Sequence, residues 1–275
     1  MSNQNHPSFP PAGSGGFIQH LHEQGKSGLF LAAIILFTAG NVFAQFMVFS
    51  AFSILSLLFV ALPIVGFWLI FAASKNPTLP EKSLTALTLF KVYTIISLVF
   101  IALAALIVIA ATVISIIFAN EFFGDLSLFL MVIAPLFIAV IIIYIAIFYC
   151  VCILRILKSI RENIVNNTMN PLRGVTPFSI ITILMVSFGI LASFISLAIM
   201  GIMTPLINDL LDEIAHAIAL LPQGQAVFIN MMDIESMLRN LLSTMTFTVL
   251  FGVLTQIGTI LLVVSLNRLA SSIKR

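Results

Sequence analysis

The chain has 275 residues, of which 61% are hydrophobic and only 8% are charged. A water-soluble domain carries about 25% charged residues, so this composition excludes a soluble globular fold. The net charge of +2 gives no basis for binding a polyanion, and no nucleic-acid partner is expected.

The hydrophobic residues occur in long blocks rather than in alternation. Five stretches contain no Asp, Glu, Lys or Arg: 29–73, 92–120, 126–154, 174–208 and 240–267. Apolar blocks of about 18 or more residues are typical of membrane-spanning helices, whereas a membrane β-barrel has short alternating segments. The sequence therefore predicts an all-α, polytopic transmembrane helix bundle in contact with the lipid bilayer.

The N-terminal tail, residues 1–28, is rich in Pro, Gly, Ser, Asn and His. This composition predicts a cytoplasmic tail that is disordered up to about Gly16. Phe17, Ile18 and Leu21 are expected to form a short amphipathic turn lying on the membrane surface.

Residues 29–203 are expected to hold five transmembrane helices joined by short loops. The first block is about twice the length of one span, so it is predicted to fold back near residues 49–51. A sixth span is predicted at 245–265, followed by a basic cytoplasmic tail at 266–275. The six predicted spans are 29–48, 52–73, 87–118, 128–154, 178–203 and 245–265.

An alternative concerns the first span. Lys26, the apolar run after it and the triplet Val42-Phe43-Ala44 are also typical of a signal peptide cleaved after Ala44, which would leave five spans. Because the apolar run continues past that point, an uncleaved first span is favoured.

A few amides and hydroxyls are the main polar groups inside the spans. Asn41 and Gln45 in the first span and Gln256 in the sixth would suit the lining of a polar cavity. Hydrogen bonding between helices is the favoured interpretation of such residues, and Gly189 and Ser193 have the spacing of a small-residue packing face. No ionisable residue lies near a span centre, which disfavours proton-coupled transport.

Residues 204–244 are predicted to form an external amphipathic helical hairpin, broken at 222–224, that caps the bundle or lies on the outer leaflet. Glu213 and His216 share one helical face there, at the spacing of a motif that di-metal bundle proteins use twice. Since only one copy is present, a solvated acidic face is favoured, and no metal, catalytic residue or cofactor is expected.

The distribution of charge predicts the orientation. The six-span arrangement leaves 11 of the 12 Lys and Arg residues on the side of the N-terminus and only Arg239 on the other side. Basic residues concentrate in cytoplasmic loops, so both termini are predicted to be cytoplasmic in a multi-pass protein of the plasma membrane. The basic loop that contains Arg155, Lys158, Arg161 and Arg173 is interpreted as part of this pattern rather than as a partner site.

No nucleotide-binding, protease or hydrolase motif is present, so catalysis is not predicted. The favoured function is a non-catalytic subunit or scaffold that acts by association, with a membrane protein partner or as a homo-oligomer, through 204–244. Two alternatives are a permease or channel for a neutral or apolar solute, and an intramembrane lipid-modifying enzyme that uses Glu213 and His216.

Overall fold

The computed structural model describes residues 16–47, 51–75, 80–122, 126–219 and 231–273. These residues form seven α-helices and no strand: α1 (Phe17–Lys26), α2 (Gly28–Met47), α3 (Ala51–Lys75), α4 (Pro80–Phe122), α5 (Leu126–Asn166), α6 (Val175–Ala219) and α7 (Met231–Ile273). Helices α2 to α7 are each long and apolar enough to cross a membrane. The predicted all-helical fold with six spans is therefore confirmed.

The last four helices are longer than a bilayer is thick. They contain 43, 41, 45 and 43 residues, which at about 1.5 Å per residue exceeds the roughly 40–45 Å of a membrane with its headgroups. The predicted external hairpin at 204–244 is consequently not made of separate helices: α6 continues through Pro205, and α7 already begins at Met231. The predicted break at 222–224 lies outside the described residues.

The chain divides into two compact units, which are described separately. Unit 1 comprises Met1–Ser27, Val65–Ile181 and Ser265–Arg275, and unit 2 comprises Gly28–Ile64 and Thr182–Val264.

Unit 1 contains a hydrophobic cluster that encloses one side of α1. The cluster consists of Phe17, Leu21, Leu87, Ile156, Ile160, Ile164, Val175, Leu269 and Ile273. Phe17 is completely buried, so the amphipathic segment expected from Phe17 onward is a ten-residue helix whose apolar side packs within the protein. Burial of a Phe or Leu side chain contributes about 1.5–3 kcal/mol, which a ten-residue amphipathic helix obtains by packing on α5. Residues 1–15 lie outside the described part.

The turn between α5 and α6 is organised by one buried amide. Asn163 is fully buried, and its Nδ2 donates to the carbonyl oxygen of Asn170 over 2.8 Å. Its Oδ1 accepts the Thr168 hydroxyl at 3.0 Å and the Asn170 backbone N–H at 3.1 Å. These three bonds hold the turn in a single conformation.

In unit 2, α2 and α7 cross at two glycines. A Cβ atom at Gly40 would collide with Thr255, and one at Gly258 would lie 2.5 Å from the backbone nitrogen of Phe37 and 2.9 Å from its Cα. Beside this crossing, the rings of Phe43 and Phe251 stack at 5.1 Å. Close backbone approach at small residues is the usual way in which transmembrane helices associate.

Candidate functional site

The polar residues predicted to line a cavity are all partly buried in the helices of unit 2. Asn41 is partly buried, and its Nδ2 donates to the carbonyl oxygen of Phe37, one turn earlier, over 2.8 Å. Gln45 is half-buried on the same helix. No hydrogen bond joins Asn41, Gln45 or Gln256 to one another among the described residues, so the structure does not bring them together as a hydrogen-bonded set.

Gln256 lies against α6 at a glycine. A Cβ atom at Gly189 would be 2.5 Å from Nε2 of Gln256, so the small residue makes room for the amide, as the predicted packing face requires. The Oε1 atom of Gln256 is buried and has no hydrogen-bond partner in the part of the chain that the structure describes. This buried oxygen therefore retains free bonding capacity there.

Glu213 and His216 are both exposed near the end of α6. No group of three or more His, Cys, Asp or Glu side chains suitable for a metal occurs in the described ranges. Asp212 is also exposed, and the arrangement is that of an acidic helix surface. Nothing in this geometry favours the lipid-modifying enzyme.

A surface that the sequence did not reveal lies on α4 and α5, which pack against each other as antiparallel neighbours in unit 1. Between Val99 and Ile114, every residue of α4 is exposed except a stripe with alternating spacings of four and three: Ile101, Ala105, Val108 and Thr112. A matching stripe on α5 is less exposed than its neighbours: Leu136, Ala139, Ile143, Ala146 and Tyr149. These spacings are typical of a two-helix seam with a period of about 3.5 residues. We call the two segments 99–114 and 136–149 the α4–α5 hairpin.

The rest of the hairpin circumference is apolar and uncovered. Ile107 is 68% exposed on α4 and Phe137 is 66% exposed on α5. A single narrow seam thus accounts for the covered surface, and the remaining faces of both helices are available to lipid or to another protein.

Tyr144 differs from its neighbours on this face. Its side chain is 69% exposed, and its hydroxyl has no hydrogen-bond partner among the described residues. It lies four residues from the middle of the charge-free stretch 126–154, or about 6 Å along the helix axis. The hydrocarbon boundary is about 15 Å from the bilayer centre, so the hydroxyl lies deep in the apolar layer.

A phenolic hydroxyl at that depth is unfavourable in contact with lipid alone. Hydrocarbon offers no hydrogen-bond partner, and leaving a hydroxyl unpaired there costs several kcal/mol. Tyrosines that contact lipid are usually found at the membrane interfaces, where the hydroxyl reaches headgroups and water. The exposed face of the α4–α5 hairpin therefore has one polar atom that needs a partner from outside the chain.

The sequence contained a signal for this feature. Tyr144 is the one residue with a polar side chain between Pro135 and Phe148, but the sequence alone does not say which way a side chain in a uniformly apolar helix faces. Because the apolar residues surround the whole helix, no periodicity distinguishes the seam from the lipid side.

Comparison with known proteins adds no further information on the site: no protein-family model, no curated protein and no solved structure matches the chain.

Proposed function

We propose that the protein is a non-catalytic membrane scaffold that acts by association, and that it assembles with a second copy of itself through the α4–α5 hairpin. The observation that carries this proposal is the exposed hydroxyl of Tyr144 near the middle of the apolar layer. A second copy supplies what that hydroxyl lacks, because a two-fold axis that is normal to the membrane and passes beside Tyr144 brings this residue close to its own equivalent. The two Tyr144 hydroxyls then bond to each other.

The surrounding residues support a helix as the occupant. Phe137, Ile141 and Phe148 lie on the same face as Tyr144, at spacings of three, four and seven residues, and all are exposed. Aromatic and branched side chains at these spacings provide the ridges that a facing helix packs between. A lipid acyl chain would contact the same carbon atoms and leave the hydroxyl unpaired.

The test is photo-crosslinking on the purified full-length protein in lipid nanodiscs. A photoreactive amino acid placed at position 144 should produce a covalent species of twice the chain mass. The same group at position 139, which lies in the seam with α4, should crosslink within one chain. If position 144 yields only lipid adducts, self-association through this face is excluded.

The orientation forms part of the same proposal. We infer that the basic end of unit 1 faces the cytoplasm of a plasma-membrane protein. Among the described residues, unit 1 contains nine basic side chains and unit 2 contains only Arg239, which is the asymmetry that the positive-inside rule requires. Labelling of single cysteines introduced at exposed positions 161 and 212 from either side of sealed vesicles tests it, and labelling of position 161 from outside would contradict it.

A second candidate function is passage of a neutral solute along unit 2. One observation favours it, the buried and unpartnered Oε1 atom of Gln256. A variant with both Asn41→Leu and Gln256→Leu should then lose solute flux in reconstituted vesicles. Unchanged flux in that variant would remove the candidate.

A further inference from the structure

A cavity of about 400 Å³ lies in unit 1, beside the turn that joins α5 to α6. Five of its six lining residues have polar or charged side chains; the lining consists of Arg155, Lys158, Ser159, Glu162, Arg173 and Gly174. We call it the basic cavity. The proposed self-association does not use it, and the residues of the α4–α5 hairpin do not line it.

The charges around the basic cavity leave two guanidinium groups available. Glu162 is the one acid in the lining, and its carboxylate lies 3.8 Å from Nζ of Lys158. Neither Arg155 nor Arg173 forms an ion pair with a carboxylate within the described ranges, and both are exposed. Arg is suited to bind phosphate because its planar fork donates two parallel hydrogen bonds.

The beginning of α6 adds positive potential to the same place. Gly174 precedes the helix with a φ of +90°, and its carbonyl oxygen accepts the backbone N–H of Phe178 at 3.1 Å. A glycine at this position has no side chain to cap the first amides of the helix. The first turn of a long helix carries a partial positive charge that favours anions.

The backbone beside the cavity is held in place by hydrogen bonds before any ligand arrives. The three hydrogen bonds of Asn163 organise the turn from Thr168 to Asn170. The buried Ser159 hydroxyl donates to the carbonyl oxygen of Pro171 at 3.4 Å. A preorganised site loses little conformational entropy on binding, which favours affinity.

The depth of the cavity matches a lipid headgroup. Arg155 is the first charged residue after the charge-free stretch 126–154, so it marks the edge of the hydrocarbon layer. Lys158 and Glu162 follow on the same helix, about 5 Å and 10 Å further along its axis. Headgroups occupy a layer of similar thickness on each side of a bilayer.

We propose that the basic cavity binds a phosphate group, carried either by an anionic phospholipid or by a soluble phosphate compound. Arg155 and Arg173 bind its oxygens, the first backbone amides of α6, those of Val175 and Thr176, complete the set of donors, and Glu162 limits the affinity by neutralising Lys158. The basic loop of the sequence thus has a specific ligand in addition to its part in orientation.

The test measures lipid binding to the delipidated full-length protein by native mass spectrometry, with phosphatidic acid as the probe and phosphatidylcholine, a zwitterion with no net charge, as the comparison. A variant with both Arg155→Gln and Arg173→Gln should bind phosphatidic acid about tenfold or more weakly, because each basic group near a headgroup contributes measurably. Arg161→Gln removes an exposed charge from the same helix outside the cavity, and it should change affinity less than about twofold.

A variant that is expected to bind phosphatidic acid more tightly provides a control, because misfolding weakens binding and does not strengthen it. Glu162→Gln releases Lys158 and should bind phosphatidic acid several-fold more tightly than the unchanged protein. If the double variant and Arg161→Gln weaken binding equally, or if Glu162→Gln has no effect, the proposal is overturned.

Competition between glycerol 3-phosphate and phosphatidic acid identifies the source of the phosphate group. If millimolar glycerol 3-phosphate displaces phosphatidic acid from the unchanged protein, the site is open to soluble phosphate compounds. Phosphatidic acid that is not displaced identifies a site for the lipid headgroup. If neither phosphatidic acid nor glycerol 3-phosphate binds more tightly than phosphatidylcholine, both forms of the proposal are contradicted.

Discussion

Single buried polar side chains decide the conformation of the basic end of unit 1. Asn163 is the clearest case, because the three hydrogen bonds of its side chain join the end of α5 to the following turn. A side chain that satisfies buried backbone groups is costly to remove, since those groups are left unpaired in a dry environment.

Replacement of Asn163 by alanine should therefore lower the free energy of unfolding by roughly 2–4 kcal/mol. The measurement is the thermal midpoint of the purified protein, compared with that of Asn166→Ala. Asn166 is exposed at the end of the same helix, and its replacement should change the stability by less than about 0.5 kcal/mol. Equal midpoints for the two variants would show that the turn is not held by Asn163.

His22 gives the α1 helix a dependence on pH. Its side chain is buried, and Nε2 has no hydrogen-bond partner among the described residues. Burial lowers the pKa of His22 below its usual 6.5, and the nearby charge of Lys26 lowers it further. Protons consequently bind more readily to the undocked helix, so docking is unaffected above pH 6.5 and weakens as the pH falls below it.

A spin label at the exposed position 19 should become more mobile as the pH is lowered from about 7.5 to about 5.5, in the range where histidine titrates. His22→Gln should abolish that change. His20→Gln is the matched control, because His20 is partly exposed and lies 3.7 Å from Glu23 rather than in the core. A pH response that persists without His22 would assign it to another group.

At this scale the sequence predicted residue types better than residue roles. Asn41 was correctly singled out as a polar group inside a span, but its bond to the Phe37 carbonyl is local and shows no sign in the sequence. Asn163 was not singled out, because its partners lie in a turn whose path depends on packing. Tyr144 was passed over because its orientation depends on where α4 lies.

At the scale of elements, glycines determine how closely α2 and α7 approach. Gly258 faces the backbone of Phe37, which cannot move aside as a flexible side chain would. A larger residue at this position must separate the helices and disrupt the contacts along the crossing, including the Phe43–Phe251 stack.

Gly258→Val should therefore destabilise the protein by about 1–3 kcal/mol or more, which is the range for overpacked sites. Gly252→Val is the matched control on the same helix, because a Cβ atom at Gly252 meets nothing within 4 Å. The midpoint of thermal unfolding in detergent distinguishes them. If the crossing of α2 and α7 did not contribute to stability, the two variants would have the same midpoint of thermal unfolding.

The positions of the spans were predictable because twenty or more apolar residues in a row leave little alternative to a membrane helix. The helix ends were less predictable. Pro205 lies inside α6 and does not end it, since transmembrane helices tolerate proline. The docking of α1 was also missed, because an amphipathic helix of ten residues suits a membrane surface and a protein groove equally well.

At the scale of the whole molecule, the described chain combines a charged end with long apolar helices. The basic residues of the described part lie in unit 1, apart from Arg239. The basic cavity is found among them, whereas the exposed face of the α4–α5 hairpin lies in the charge-free segments. Association within the membrane and phosphate binding at its surface therefore use different residues and can be tested independently.

Composition alone was sufficient for the class of protein, because no arrangement of a chain with 61% hydrophobic residues hides that surface in water. The function was not accessible in the same way. Lipid-facing and partner-facing surfaces are both apolar, so their distinction depends on single polar atoms such as the Tyr144 hydroxyl. Such atoms become informative only when their exposure and depth are known together.

The most direct measurement of the central claim is the mass of the protein ejected from native membranes, compared with that of Tyr144→Phe. The account predicts a dimer for the unchanged chain and a marked shift to monomer for the variant, which lacks only the hydroxyl. Tyr149→Phe removes a hydroxyl from a half-buried tyrosine of the same helix and should remain dimeric. A monomeric unchanged protein, or a dimer that is indifferent to Tyr144→Phe, would contradict association through the α4–α5 hairpin.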